Sequence, residues 1–256
     1  MATPASHEPH AYTTPQIVYL WISGVFVTSL LMANVLGVKL FQFDTGVRLL
    51  GGDGSLKISH TVGMIPFPLT FLLTDLLNEF YGKRATRRVA YIAFAMAALA
   101  FLMITAGRAM PILEGVPGTA TREAFETIFG ASALMYVASI CAFLIGSLLD
   151  IFVFGILHRL TRERFIWLRA TGSTIVSQVF DSFVVTFLFF WLFPVMLGTE
   201  AGPASMTQVL ELAATGYVLK FFIAIAVTPL IYAGRWFLIR RLGMRPAVIG
   251  SAAERA

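Results

Sequence analysis

The chain has 256 residues, 57% of them hydrophobic and only 13% charged, where an ordinary soluble domain carries about a quarter charged residues. That balance excludes a water-soluble domain and reads as a polytopic membrane protein, despite a net charge of +5 and a pI near 9.6. A single cysteine, Cys141, excludes an intrachain disulfide and any CxxC-type metal site.

Residues 1–16 hold Pro4, Pro9 and Pro15 among polar side chains and no Lys or Arg, which predicts a disordered leader with His7 and His10 solvated rather than metal-bound. The missing basic residues and the length of the following apolar run argue against a cleaved signal peptide, so the first span is expected to stay in the protein. Crossing a hydrocarbon core takes about twenty apolar residues. Six such windows follow, near Ile17 to Gly37, Val62 to Tyr81, Val89 to Ala106, Ala131 to Leu157, Ser173 to Leu197 and Thr215 to Gly234. They predict an all-α integral membrane protein: one six-helix domain over 17–238 with a basic cytoplasmic tail over 239–256. No connection is long enough for a second core.

Between the first two spans, Leu40 to His60 alternates Phe41, Gln42, Phe43, Asp44 before Gly51-Gly52-Asp53-Gly54, which predicts a short hairpin over the outer face. Span 2 opens with Pro66 and Pro68. Either irregular backbone here walls a cavity, or the helix simply begins at Pro66 with proline in its first turn. The connection Gly107 to Gly130 ends in Thr121 to Phe129, a candidate brief amphipathic helix. Lys83, Arg84, Arg87, Arg88, Arg159, Arg162, Arg164, Arg169 and the tail arginines from Arg235 onward fall on one side. Lys39, Arg48, Lys57, Arg108 and Arg122 fall on the other. The richer side is cytoplasmic, so both termini are expected inside. Basic side chains beside anionic headgroups account for the pI without a nucleic-acid partner.

The spans contain Asp75, Glu79, Asp150 and Asp181, with Lys220 the one clear base. An ionisable side chain there costs several kcal/mol, so it is read as a functional site facing the bundle interior. Counting back from the inner ends of the spans at about 1.5 Å per residue puts Asp75, Asp150 and Asp181 at one level, roughly 10 to 12 Å deep. Asp75, Asn78 and Glu79 share one side of a helix, as do Thr174, Ser177, Gln178 and Asp181. Buried together, four acids cannot all ionise without raised pKa values. A carboxylate suits two adjacent N–H donors, and a guanine-like heterocycle offers such a pair. Aromatic side chains would stack on its flat ring, but no aromatic box can be named from the sequence.

Several segments resemble one family, the queuosine precursor transporters, also described as putative vitamin uptake transporters. They are ANVLGVK (Ala33 to Lys39), PLTFLLTDLLNEFYGK (Pro68 to Lys83), ASICAFLIGSLLDIFVF (Ala138 to Phe154), IWLRATGSTIVSQVFDSFV (Ile166 to Val184) and YVLKFFIAIAVTPLIY (Tyr217 to Tyr232). The resemblance implies a multi-pass bacterial inner-membrane importer of 7-cyano-7-deazaguanine or its 7-aminomethyl analogue. The fold it implies is similar to the substrate-binding components of energy-coupling-factor transporters, with no enzymatic activity and no cofactor. Asn34, Asp75, Asn78, Glu79, Asp150, Gln178, Asp181 and Lys220 match its motif positions. One departure is Asp181-Ser182, where an Asp-Thr pair is usual. On this basis a cavity between spans 2, 4, 5 and 6 is expected, with Asp75 or Glu79 accepting the ring N–H and amino pair. Asn78 and Gln178 would add hydrogen bonds, and Asp181 would gate or bind the 7-substituent. Lys220 would neutralise an acid or donate to the carbonyl oxygen.

Three other readings are open. A capture subunit served by a separate ATPase would keep the substrate and change the machine. An intramembrane prenyltransferase would use Asp75 and Glu79 as half of a magnesium-diphosphate motif, but a second acid-rich cluster is missing. A structural scaffold would leave the buried charges unexplained. Oligomeric state is not encoded in any pattern, and a homodimer is compatible with the sequence.

Overall fold

The structure is a computed structural model that describes residues 12–37, 39–48, 55–113, 116, 119–129, 133–161, 165–198 and 202–247. Most of the expected leader, the Gly51–Gly54 turn and the end of the basic tail lie outside the described residues.

Helix α1 (Thr14–Leu36) starts where the Gln16 side chain accepts hydrogen bonds from the Thr13 amide and hydroxyl, at 2.9 and 3.1 Å. Pro15 sits in the first turn, where a missing N–H costs nothing. Ile22, Phe26, Ser29 and Leu30 form its buried stripe, while Trp21 on another face is 72% exposed. Strands β1 (Leu40–Arg48) and β2 (Ser55–Thr61) then pair antiparallel with Leu40 opposite Thr61, the hairpin expected from the alternation. The fold is therefore helical apart from this one ribbon among the described residues.

A 3-10 turn, Val62–Met64, leads into α2 (Phe67–Ala109), with Pro66 as N-cap and Pro68 in the first turn. Both readings of the proline segment hold together: the helix begins there, and the turn before it walls a cavity. Gly63 in that turn meets α1 so closely that a Cβ would stand 2.4 Å from the Ala33 carbonyl oxygen. Only glycine permits this approach.

At 43 residues α2 would be about 65 Å long if straight, twice a hydrocarbon core of about 30 Å. It breaks at Gly82, whose φ of 75° and ψ of 171° belong to a region essentially restricted to glycine. The two parts fold back on each other, because Leu73 and Leu77 before the break share one core cluster with Val89, Ala93 and Ala97 after it. Near the break, the Glu79 carbonyl accepts the amide of Ala247 from the C-terminal segment at 2.8 Å, satisfying a helix-end acceptor.

Helix α3 (Arg122–Phe129), one residue shorter than the expected amphipathic segment, is tied to the end of α2 by Arg108, which donates twice to Glu126 at 2.7 and 3.0 Å. Helices α4 (Ala133–Thr161) and α5 (Ile166–Phe187) follow. A π turn, Leu188–Leu192, joins α5 to α6 (Phe193–Leu197). Pro194 has no N–H to give the Phe190 carbonyl, and the amide of Ala204 donates there at 2.9 Å. Helix α7 (Met206–Arg240) starts on a Ser205/Gln208 capping box. It begins well before the expected Thr215 and extends beyond Gly234, so Arg235, counted above with the tail, lies inside it.

Contacts run α2 to α4, α4 to α5, α5 to α7 and α7 back to α2, with α1 against α2. This closes a ring. Five helical stretches among the described residues are long and apolar enough to cross a membrane, the one over Val62–Ala109 containing the Gly82 break. Large apolar side chains such as Leu102, Met103, Phe152 and Phe222 face outward, while Asp75, Asn78, Glu79, Asp150 and Gln178 are buried. A water-soluble protein shows the reverse, so the ring is built for lipid outside and polar contacts inside.

Candidate functional site

Each helix of the ring contributes polar side chains to its interior, and their partners separate structural from available groups. On α2, the Thr70 and Thr74 hydroxyls donate to their own helix, to the Phe67 and Thr70 carbonyls at 2.6 and 2.8 Å. Those bonds leave them little for a ligand. Further along α2, toward the Gly82 break, Glu79 receives Arg235 Nε of α7 at 3.3 Å. Asn78, buried beside it, has no hydrogen-bond partner for either side-chain atom among the described residues.

Asp181 of α5 and Lys220 of α7 form a close ion pair at 2.5 Å, with only 10% and 11% of their side chains exposed. Gly146 of α4 makes room for the acid, since a Cβ at 146 would lie 3.3 Å from Asp181 Cβ. The Lys220 ammonium also stands 4.9 Å from the centre of the Phe67 ring, a cation–π contact favoured where water is excluded.

This pair borders a cavity of about 460 Å3, within the range of small-molecule sites. Asn34, Gly63 and Phe67 line one side, and Phe101, Tyr136 and Ser139 another. Asn34 donates to its own helix at Leu30 O, 3.0 Å, which leaves its carbonyl oxygen and second N–H for a ligand. Phe101 and Tyr136 stack with centroids 5.4 Å apart, and the Tyr136 hydroxyl is held by Ala97 O at 3.2 Å. Ile128 and Phe129 of α3 reach the same space. Beside it lies a far smaller pocket, about 20 Å3, lined by Asp75, Thr171, Thr174 and Lys220 among others. It has room for about one water, and Met64, Phe67 and Lys220 border both spaces.

Of the residues singled out from sequence, Asn34, Asp181 and Lys220 meet at the large cavity, and Asp75 lines the adjoining pocket. Asn78, Glu79, Asp150 and Gln178 line neither. The expected enclosure by spans 2, 4, 5 and 6 widens, because α1 and the second part of α2 supply a wall. The expected common depth of the acids also changes. Gly146 faces Asp181, whereas Ser177 faces Asp150 at 3.4 Å, so Asp150 lies one turn deeper, about 6 Å. Sequence reasoning missed Phe101, Tyr136 and Ser139; an aromatic in a span that is apolar all round carries no sign of which face it occupies.

A ring of apolar-faced helices around a cavity that ends on a buried ion pair defines an integral membrane protein with an internal small-molecule chamber. The chain belongs to the putative vitamin uptake transporter family, whose model matches residues 61–234. It is 31% identical to the "Probable queuosine precursor transporter" of Bacillus subtilis over 70% of this chain and 72% of that protein. It is 30% identical to the "Queuosine precursor transporter" of Escherichia coli over 66% and 70%, and 24% identical to the Haemophilus influenzae "Probable queuosine precursor transporter" over 80% and 81%. These relatives are named as transporters, not enzymes. No solved structure matches the chain.

Proposed function

We propose that this chain is a transporter that imports a queuosine precursor, a 7-deazaguanine base such as 7-cyano-7-deazaguanine or 7-aminomethyl-7-deazaguanine, across the bacterial inner membrane. The observation that carries this reading is the 460 Å3 cavity ending on the Asp181–Lys220 pair, in a chain whose relatives are named for that substrate. Asp181 is positioned to accept two adjacent N–H donors of the base, and Lys220 to donate to its ring carbonyl oxygen. Asn34 adds an adaptable amide, and Phe67, Phe101 and Tyr136 offer flat apolar faces, each stacked base being worth about 1–3 kcal/mol. Asp75, next along the interior, is the second station, and Glu79 with Arg235 closes the inner end. Asp150, Asn78 and Gln178 support the polar interior without meeting the base in this conformation.

In the membrane we read the break at Gly82 as the turn between two spans. That gives six spans over 17–238, with the leader and the 239–256 tail in the cytoplasm and the large cavity toward the outside. The hairpin, the end of α1 and α3 then lie on the poorly basic face. The likeness to energy-coupling-factor components rests on sequence motifs alone.

Uptake of labelled precursor into cells unable to make it tests the reading. Asp181→Asn and Asn34→Ala should each reduce uptake at least tenfold with the protein still in the membrane, and wild-type rates in both would remove the cavity from the pathway. Transport by the purified chain alone in liposomes separates a self-sufficient carrier from a capture subunit.

A further inference from the structure

Beyond α7, residues 241–247 double back onto α2. Gly243 makes the turn at a φ of 64°, which glycine adopts without steric cost, and the Met244 amide donates to the Leu238 carbonyl at 3.1 Å. The turn buries the Met244 side chain in a cluster with Leu76 and Phe80 of α2 and Leu238 of α7, against which Leu242 also packs. Three residues on, the Ala247 amide donates to the Glu79 carbonyl at 2.8 Å. Arg241 and Arg245 stay exposed, so the grip on α2 comes from the apolar side of the segment and from one backbone hydrogen bond.

Glu79 is therefore held twice, and from the same direction. Arg235 of α7 holds its side chain at 3.3 Å, and the segment that continues α7 holds its main chain. Gly234 brings the two helices close at this level, since a Cβ there would lie 3.1 Å from Leu76 Cδ1. Any motion that draws this end of α7 away from α2 must also release Met244 and Ala247, because they are covalently tied to one helix and docked on the other. One buried side chain and one hydrogen bond are enough to bias an equilibrium between two conformations, and few enough to let go.

We propose that residues 241–247 are a latch that holds the inner end of the bundle shut and lets go in each transport cycle. Calling this end inner rests on the import reading above, whereas the latch itself does not depend on which solute the chamber carries.

The test reads opening directly and needs no precursor. Ala170 is buried and lines the small pocket. In a full-length chain carrying Cys141→Ser and Ala170→Cys, reaction of position 170 with a membrane-impermeant maleimide is followed in inside-out vesicles, which present the cytoplasmic face, and in right-side-out ones. Ala247→Pro removes the donated N–H and should speed labelling from the cytoplasmic face about two- to twelvefold, the factor set by one hydrogen bond. Ala247→Ser keeps the N–H and should label at the parent rate. Met244→Ala, which empties a buried site, should speed labelling at least about tenfold. Faster labelling of the Ala247→Pro and Met244→Ala chains from the opposite face alone would uphold the latch and overturn the orientation in the import reading. Unchanged labelling of both from either face would overturn the latch, as would an equal rise from both faces with a lower melting temperature, the mark of general loosening.

Discussion

The Asp181–Lys220 pair permits a stability argument in which a double substitution costs less than a single one. Lys220→Met keeps the length and apolar stem of the side chain, so it retains packing on Phe67 and removes only the charge. Asp181 is then a carboxylate with 10% of its side chain exposed and no counter-charge. Breaking a buried pair from one side costs about 3–5 kcal/mol, whereas replacing both partners with neutral groups of similar volume is close to neutral. Each kcal/mol moves the melting temperature by about 2–4 °C in a chain of this size. Lys220→Met should therefore melt about 6–20 °C lower, and the Asp181→Asn/Lys220→Met double variant should recover most of that loss. Thermal unfolding in detergent measures the first quantity and precursor uptake the second. The recovered double variant should stay inactive, since it offers neither the paired acceptor nor the cation. If the losses of the single variants simply add in the double variant, the two groups are not coupled. If the double variant transports normally, the pair has no place in substrate binding.

Gly82→Ala puts a side chain at φ 75°, ψ 171°, so it should cost about 1–3 kcal/mol, seen as a lower melting temperature and less folded protein in the membrane. Glu126→Gln removes the Arg108 partner at an ion pair whose side chains are 29% and 38% exposed. After solvent screening its effect on stability should stay below about 1 kcal/mol, and a larger loss would show that α3 is held by more than its surface.

How far the sequence foretells this molecule depends on the range of the interaction involved. The hairpin at Leu40–Thr61, helix α3 and the prolines that start α2 were legible because alternation, amphipathic spacing and proline chemistry act over a few residues. The polar stripes of α2 and α5 were legible because a dehydrated polar group is costly wherever it falls. The division of labour among those stripes was not. Whether Glu79 meets a substrate or Arg235 depends on a residue 156 positions away, and whether Asp181 has room depends on Gly146 of another helix. The aromatic walls were hidden for a related reason: 23 phenylalanines on helices apolar all round leave the choice between lipid and cavity to packing alone.

The distribution of charge along the ring also bears on direction. On the import reading, the large cavity meets the outer loops and ends on the Asp181–Lys220 pair, while the inner end carries the Glu79–Arg235 pair and the Ala247 contact. A solute advancing from Asp181 must separate Lys220 from it, and Lys220 already borders the small pocket where Asp75 lies. Moving one ammonium between two carboxylates opens the first station as it neutralises the second, and the N–H donors of the next base cover the acid it leaves. The inner pair stays closed until α7 moves, because Arg235 is carried on the same helix as Lys220. One helix bearing both cations can thus alternate the two ends, and a cross-link holding α7 to α2 near Arg235 and Glu79 should stop uptake while leaving precursor binding intact.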